Sequence, residues 1–274
     1  GTRETDLLNP VNLVDKAHAI YLGGGSAFGL DGASGVMKYL EEKGIGFDVL
    51  LTKVPIVPGA VLFDLDVGDY RIRPDTKMGY DACLNASDAE SRQGNIGAGT
   101  GATVGKIFGG LRCMKSGLGT ASFKSQELII GAIVAVNCLG DVIDPENGEI
   151  IAGVLSEDRK DFANTMTFLR NFPQKTKDNF SKNTTIGVIA TNAKLTKAEA
   201  TKAAMMAQDG YARTISPAHT MFDGDTIFCI ATGEVEAGAN VVGAIAAEVM
   251  ARAIVKAIKN TESLFKLKSY KDLF

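Results

Sequence analysis

The chain has few of the residues that build metal sites and disulfide frameworks. Its 274 residues include two histidines, four cysteines and no tryptophan. The cysteines form no C-x-x-C pair, and the histidines form no H-E-x-x-H motif. We therefore expect free thiols in a reducing compartment and no metal site.

The chain also lacks a strong net charge and a long apolar run. Its formal net charge is −3, and its longest apolar stretch, 128–136, is far too short to span a bilayer. No secretory signal precedes residue 20. These absences predict a cytoplasmic protein that has neither nucleic acid nor a membrane as a partner.

Glycine is abundant and unevenly distributed. The 31 glycines cluster at 23–25, 97–110 and 116–119, where the backbone is expected to pass close to other backbone or to a ligand. The stretch 23–29 follows a strand-like segment and opens a helical one, as a phosphate loop does. It lacks the G-x-G-x-x-G spacing and the Gly-Lys-Ser/Thr ending, so tight strand–helix packing is the preferred interpretation.

The hydrophobic pattern predicts a single α/β domain over residues 1–274. A capping box at Thr196–Glu199 should open one helix, Gly210 should stop it, and Ser26 should cap another. The predicted strands cover 17–22, 54–64 (broken at Pro58), 116–123, 127–139, 184–192 and 226–232, and 116–123 is expected to pair with 127–139. The predicted helices cover 26–43, 76–86, 158–170, 196–208 and 241–259.

The junction at residues 183 and 184 combines two features that suit self-cleavage. A polar, unpatterned segment, 173–183, runs directly into the strand that begins at Thr184. Cleavage of the Asn183–Thr184 bond would give Thr184 a free α-amine with a pKa of about 7.7–8, which can serve as the base for its own hydroxyl. From the local pattern alone, an ordinary loop followed by a strand explains the same residues.

Several motifs together resemble the L-aminopeptidase/D-esterase and β-aminopeptidase family of N-terminal-nucleophile hydrolases. The similarity covers nearly the whole chain and is closest to the endo-type 6-aminohexanoate-oligomer (nylon-oligomer) hydrolases of that family. The general motifs are Gly1-Thr-Arg-Glu-Thr-Asp-Leu-Leu8, Gly24-Gly-Ser-Ala-Phe-Gly-Leu-Asp31, Gly97-Ala-Gly-Thr-Gly-Ala-Thr-Val-Gly-Lys106 and Lys115-Ser-Gly-Leu-Gly119. The motifs of the nylon-oligomer branch are Asn183-Thr-Thr-Ile186, His219-Thr-Met-Phe-Asp-Gly-Asp-Thr226 and Gly243-Ala-Ile-Ala-Ala-Glu-Val-Met250.

The resemblance implies a role for five residues. Thr184 matches the nucleophile released by cleavage after Asn183, and Lys106 matches a lysine that keeps the Thr184 amine neutral and stabilises negative charge. Asn137 matches the asparagine whose amide donates to the oxyanion. Asp223 and Asp225 match the acidic pair that orients the nucleophile. Each residue, taken singly, also has an explanation without catalysis. Lys106 could be a solvated surface lysine, Asn137 could satisfy the end of a strand, and Asp223-Gly-Asp225 could form a turn.

The resemblance also implies the architecture and the assembly. It predicts an αββα four-layer sandwich that is cut into a larger chain, 1–183, and a smaller chain, 184–274, and that assembles as a homo-oligomer, expected to be a tetramer. Family members carry a segment before the Gly-Thr-Arg-Glu-Thr motif. We therefore expect either further residues ahead of Gly1 or a reduced sandwich.

The expected reaction is amide hydrolysis through an acyl-enzyme on Thr184, with no metal or organic cofactor. The expected substrates are short peptides with a free amine, β- or D-amino-acid peptides, or ω-amino-acid oligomers. Asn183 and Thr184, in place of the Gly and Ser of the aminopeptidase members, favour the nylon-oligomer side of the family. Two alternatives stay open at this point: an acyltransferase of related fold, and an unprocessed, non-catalytic assembly protein.

Overall fold

Strands and helices alternate along the chain in a mixed α/β structure. A computed structural model describes residues 1–88, 92–172 and 183–274. The α-helices are α1 (Gly32–Glu42), α2 (Thr76–Leu84), α3 (Thr165–Asn171), α4 (Lys197–Thr214) and α5 (Ala239–Lys259). The strands are β1 (Thr2–Arg3), β2 (Tyr21–Gly23), β3 (Phe47–Asp48), β4 (Lys53–Val54), β5 (Gly59–Val61), β6 (Thr103–Val104), β7 (Met114–Lys115), β8 (Leu118–Ser125), β9 (Leu128–Ala135), β10 (Asp141–Ile143), β11 (Ile150–Ala152), β12 (Ile186–Ala193), β13 (Ile215–Ser216) and β14 (Thr226–Val235).

A four-stranded sheet in the order β14-β12-β9-β8 carries the junction at residue 184. Strand β12 runs parallel to β14 and antiparallel to β9, and β9 pairs with β8 as the sequence predicted. Alternate residues of β12 point to opposite faces, so that Ile186 and Val188 join one apolar cluster and Ile189 joins another. Both faces of this sheet are therefore covered.

Helices α4 and α5 cover the face of the sheet to which Ile189 points. The sequence predicted that Gly210 would stop α4, and this prediction was wrong, since α4 continues to Thr214. A Cβ atom at Gly210 would lie only 2.6 Å from the carbonyl oxygen of Ala247 in α5. Gly210 thus serves the close approach of the two helices rather than the end of one.

The other face of the sheet packs against a small sheet in the order β1-β5-β2. Leu62 and Phe228 lie in the apolar cluster between them. Helix α1 packs on β2 and against α2, where a Cβ atom at Gly35 would lie 1.9 Å from the carbonyl oxygen of Thr76. These contacts place the small sheet between the α1–α2 pair and the larger sheet.

Two helix starts differ from the sequence prediction. Ser26 does not cap a helix; it has a φ of +54° and begins a 3₁₀ helix over 26–31, which α1 continues. Helix α3 begins at Thr165 rather than near residue 158, because the side chain of Asn164 caps it by accepting the Thr167 N–H at 3.0 Å. Asp161 lies in the turn before it.

Other predictions were confirmed. The capping box of Thr196 and Glu199 opens α4, and the predicted close packing around 23–29 is present, since a Cβ atom at Gly29 would meet the Gly24 carbonyl oxygen at 1.9 Å. The predicted strand 17–22 is regular only from Tyr21.

The predicted loop 173–183 lies outside the described residues, apart from Asn183. Within the described ranges, no helix combines the length and apolarity needed to cross a membrane.

Candidate active site

Thr184 is held at the point where the larger sheet begins. Its backbone N–H donates to the Asn137 carbonyl oxygen at 2.9 Å, and Asn183 forms a parallel bridge with Asp223. The Thr184 hydroxyl donates to the carbonyl oxygen of Asn183 at 2.5 Å. The hydroxyl oxygen therefore lies beside the peptide group that the sequence identified as the cleavage site.

A second donor reaches the same carbonyl. The backbone N–H of Gly224 donates to the Asn183 oxygen at 2.8 Å. This places a fixed hydrogen-bond donor at the oxygen that would become negatively charged if the carbonyl carbon were attacked. A Cβ atom added to Gly224 would lie 3.1 Å from the Thr184 hydroxyl oxygen, so a glycine here leaves room for that hydroxyl.

The residues on both sides of Thr184 are buried and incompletely hydrogen-bonded. Asn183 is 4% exposed and donates from its amide to the Phe222 carbonyl oxygen at 3.2 Å. Among the described residues, Asn183 Oδ1 and the hydroxyl of the fully buried Thr185 have no hydrogen-bond partner. Such groups cost about 1–3 kcal/mol each, and buried unsatisfied polar atoms call for a functional explanation.

Lys106 comes from the glycine-rich stretch and reaches the site through Asn137. Its ammonium donates to Asn137 Oδ1 at 2.8 Å and to the Asn137 carbonyl oxygen at 3.1 Å. Burial lowers the pKa of Lys106 to about 8, with a partial offset from nearby acidic groups including Asp66 and Asp223. Gly105 lies so close to 153–154 that an added Cβ atom would be 2.1 Å from its backbone, which fixes the approach of Lys106.

Asn137 follows β9 and connects several parts of the site. Its Oδ1 accepts from the Thr103 N–H at 3.0 Å as well as from Lys106, and its Nδ2 donates to the Phe63 carbonyl oxygen at 3.0 Å. Its own carbonyl oxygen accepts from both Lys106 and Thr184. Asn137 thus joins the predicted lysine to the predicted nucleophile.

The acidic pair holds the backbone around Thr184. Asp223 accepts from the Leu139 N–H at 3.1 Å and from the Thr220 hydroxyl at 2.5 Å. Asp225 accepts from the Thr185 N–H at 2.8 Å. The resemblance implied that both carboxylates orient Thr184. The hydrogen bond of Asp225 goes to the next residue, Thr185, and those of Asp223 go to Leu139 and Thr220.

His219 and Tyr211 complete the surroundings of Asp225. Nδ1 of His219 lies 2.9 Å from Asp225 Oδ2. The rings of His219 and Tyr211 stack with their centroids 5.9 Å apart. Burial raises the pKa of Asp225, and the negative charge of Asp223 adds to this, whereas the Thr185 N–H and His219 oppose it. Burial outweighs the opposing hydrogen bonds, so the pKa of Asp225 lies above its usual range.

The structure brings Thr184, Lys106, Asn137, Asp223 and Asp225 into one connected site. The motif 219–226 contains His219, Thr220 and Gly224, but sequence analysis assigned none of the three a role in the site. The backbone N–H of Gly224 contacts the Asn183 carbonyl oxygen, and His219 and Thr220 support the two acids. In the sequence, Gly224 lies between the two predicted acids, Asp223 and Asp225. The only signal for it was that a glycine separates two residues expected to surround a nucleophile.

Comparisons with known proteins show which proteins the whole chain is similar to. The chain matches the model of peptidase family S58 over residues 1–270. An uncharacterized aminopeptidase of Mycobacterium leprae is 42% identical, over 100% of this chain and 80% of the relative. A 6-aminohexanoate-oligomer endohydrolase of Kocuria sp. (strain KY2) is 30% identical, over 89% of this chain and 72% of the relative.

A solved structure shows the fold. The L-aminopeptidase D-Ala-esterase/amidase of Ochrobactrum anthropi, described as a variant of the Ntn hydrolase fold, has a TM-score of 0.61 with this chain. The match covers 88% of this chain and 67% of that one at 19% identity. At that identity the likeness supports the fold alone.

Proposed function

Because the chain belongs to peptidase family S58 and is a hydrolase, we propose that it cuts its own Asn183–Thr184 bond and then hydrolyses amides with Thr184. One observation carries this proposal. The Thr184 hydroxyl lies 2.5 Å from the Asn183 carbonyl oxygen, and the Gly224 N–H donates to that same oxygen at 2.8 Å. A nucleophile and an oxyanion donor thus meet at a single peptide group.

Self-cleavage proceeds as an N-to-O acyl shift. The Thr184 oxygen attacks the Asn183 carbonyl carbon and gives up its proton, and the resulting negative oxygen is stabilised by the Gly224 N–H. The C–N bond then breaks as the Thr184 nitrogen takes up a proton, which leaves an ester between the two residues. Water hydrolyses the ester and releases the Asn183 carboxylate and the free Thr184 amine and hydroxyl.

The mature site repeats this chemistry on a foreign amide. The new α-amine of Thr184, with a pKa of about 7.7–8, acts as the base for its own hydroxyl. The nearby positive charge of Lys106 favours the neutral form of that amine and stabilises the oxyanion. The Asn137 amide and the Gly224 N–H are the proposed oxyanion donors. Asp223 and Asp225 fix the backbone of the site.

The proposed mature protein is a four-layer αββα sandwich made of chains 1–183 and 184–274. The packing of α4 and α5 on one sheet, and of α1 and α2 on the other, supports this order of layers. Assembly as a homo-oligomer, expected to be a tetramer, is proposed from the family resemblance.

The proposed substrates are short peptides with a free amine or linear ω-amino-acid oligomers. One relative bears the name aminopeptidase and another the name 6-aminohexanoate-oligomer endohydrolase, and this chain is more similar to the first. A panel of L-peptide amides, β-peptides and 6-aminohexanoate oligomers separates these classes. Adding an amine acceptor to the same assays distinguishes hydrolysis from acyl transfer, because only a transferase would prefer the amine over water.

Intact-mass measurement of the purified protein tests the proposal. We expect fragments of 183 and 91 residues that separate under denaturing conditions. Thr184→Ala should stay uncut and lose amide hydrolysis by at least about a thousandfold, whereas Thr184→Ser keeps a hydroxyl and should still be processed. Cleavage that persists in Thr184→Ala would overturn the self-cleavage mechanism.

A further inference from the structure

The segment Leu264–Leu267 forms a hairpin whose two-residue turn has an unusual backbone conformation. Leu264 and Leu267 exchange backbone hydrogen bonds of 2.9 and 3.3 Å, and between them Phe265 and Lys266 have φ values of +50° and +64°. Positive φ at both central residues is the signature of a type I′ turn, which strongly prefers Asn-Gly. A phenylalanine and a lysine in these positions are strained.

The hairpin is anchored on both sides. The guanidinium of Arg159 donates to the Lys266 carbonyl oxygen at 3.3 Å, and the Lys268 ammonium donates to the Arg159 carbonyl oxygen at 2.8 Å. The N–H of Lys115 donates to the Lys268 carbonyl oxygen at 2.8 Å. The strained turn is therefore held in place by the rest of the fold.

The Phe265 side chain lines a cavity that Lys106 also lines. It lies against Gly68, where an added Cβ atom would come within 3.0 Å of the ring, yet 57% of Phe265 stays exposed. A large apolar side chain that is strained and still exposed gains little from packing. Its position calls for another explanation.

Phe265 separates two neighbouring cavities. A cavity of about 230 Å³ is lined by Lys106, Thr103 and Asp66, and a second of about 250 Å³ is lined by Gly25, Asp64 and Arg73. Val67, Gly68 and Phe265 line both of them. The first cavity borders the candidate site through Lys106, whose ammonium donates at 3.1 Å to the carbonyl oxygen that also accepts the Thr184 N–H.

We propose that Phe265 is a specificity-determining residue, whose ring packs on the extended apolar acyl chain of an amide substrate as that chain passes from one cavity to the other. The proposal rests on the proposed function and specifies its substrate class: amides of long, linear amino acids are preferred over amides of short ones. Each methylene group that the ring buries is worth about fourfold in binding.

Two chromogenic amides with the same leaving group test the assignment. The p-nitroanilides of β-alanine and 6-aminohexanoic acid differ only in the length of the acyl chain. In Phe265→Asn, which suits the turn but removes the ring, the ratio of kcat/KM for the long over the short anilide should fall about tenfold. Lys266→Gly relieves strain at the adjacent position and keeps the ring, so it should leave the ratio unchanged.

Thermal unfolding of the same proteins adds a readout that is independent of catalysis. Both variants should be at least as stable as the parent, because each replaces a strained residue with one that the turn prefers. An unchanged ratio in Phe265→Asn would overturn the proposal, and so would an equal fall in Lys266→Gly. A loss of stability in Phe265→Asn with an unchanged ratio would assign the ring to packing instead.

Direct binding separates this proposal from the proposed function. If the parent protein hydrolyses neither anilide, the proposed function fails, and calorimetric binding of hexylamine and ethylamine then tests the cavity. A preference for hexylamine that is lost in Phe265→Asn and kept in Lys266→Gly would support the assignment. The same affinity for both amines in the parent would overturn it.

Discussion

The backbone N–H of Gly224 donates to the carbonyl oxygen of Asn183 at 2.8 Å, across 41 residues of sequence. The parallel pairing of β12 and β14 brings these two groups together, because it continues as the bridge between Asn183 and Asp223. The donor is thus as rigid as the sheet itself. Rigid donors stabilise developing charge without reorganisation.

Replacing Gly224 by alanine should slow maturation. The added Cβ atom would lie 3.1 Å from the Thr184 hydroxyl oxygen, so the hydroxyl must shift by a few tenths of an ångström. Displacements of this size cost about tenfold in rate. A time course of fragment formation on denaturing gels measures the effect. Gly131→Ala in β9, where the added Cβ atom has contacts no closer than 4.0 Å, is the control and should mature at the parental rate.

The pH dependence of hydrolysis should have an alkaline limb set by Lys106. Burial lowers the pKa of this residue to about 8, and the proposed role needs the ammonium form, so kcat/KM should fall as the pH rises through about 8. Lys106→Arg keeps the charge at all accessible pH values and should move this limb to higher pH. Lys106→Met should lose about a hundredfold in kcat.

The alternative role for Lys106 makes a different prediction for Lys106→Arg. If the neutral Lys106 amine were the base, Lys106→Arg would lose activity across the whole pH range instead of keeping it and moving the alkaline limb. Profiles of the parent and of Lys106→Arg, measured on one substrate, therefore decide between the two roles.

Removal of the His219 side chain should slow maturation, because His219 contacts Asp225. His219→Ala removes the ring nitrogen that lies 2.9 Å from Asp225 Oδ2, and a contact of this kind with a charged group is worth about 1.5 kcal/mol, or about tenfold in the rate of maturation. It also removes an influence that lowers the pKa of Asp225, so activity should be lost at a higher pH on the acid side.

His219→Asn is the matched variant. Asparagine tolerates the φ of +55° at this position and keeps a donor, so it should mature faster than His219→Ala. Equal rates and equal acid limbs in the two variants would show that the contact with Asp225 has no part in maturation.

Sequence alone predicts the parts of the fold that follow from local patterns. Short stretches of sequence predict the strand β12, the paired strands β8 and β9, and the capping box of Thr196 and Glu199. The starts of α1 and α3 could not be predicted, because they depend on positive φ at Ser26 and Asn164, which tertiary contacts impose.

In the candidate site, too, the sequence predicts some features and not others. Its five predicted residues rest on motifs and their order, and the structure brings them together. The Gly224 contact could not be predicted, because it joins two backbone groups and depends on strand register rather than residue type. The strained turn at Phe265 and Lys266 was equally hidden, since its sequence lacks the asparagine and glycine that mark such turns.

Gly210→Ala should destabilise the protein although alanine is the better helix former. Helix propensity favours alanine by about 1 kcal/mol. Against this, the added Cβ atom would lie 2.6 Å from the Ala247 carbonyl oxygen and 2.8 Å from Met250 Cβ, and such overpacking costs about 1–3 kcal/mol. We expect a net loss in urea unfolding. Gly243→Ala should lose less, because its nearest neighbour is the flexible end of Met206.

Lys115 should make the stability of the protein increase with pH in the alkaline range. It is fully buried, and its ammonium donates to the carbonyl oxygens of Gly99, Ala102 and Ser116. Burial lowers its pKa from 10.5 to about 7. Between these pH values the unfolded chain binds the extra proton, so stability rises with pH by up to about 1.4 kcal/mol per unit, and below about 7 the contribution is constant.

Urea unfolding at several pH values between 7.5 and 9.5 measures this slope. Lys115→Met removes the titrating group, so its free energy of unfolding should rise less steeply with pH than that of the parent. Lys124→Met, at an exposed position, should keep the parental slope. Because Lys106 is present in all three proteins, the difference between slopes belongs to Lys115. Identical slopes in the parent and Lys115→Met would mean that the buried ammonium keeps its ordinary pKa, held by the three carbonyl oxygens around it.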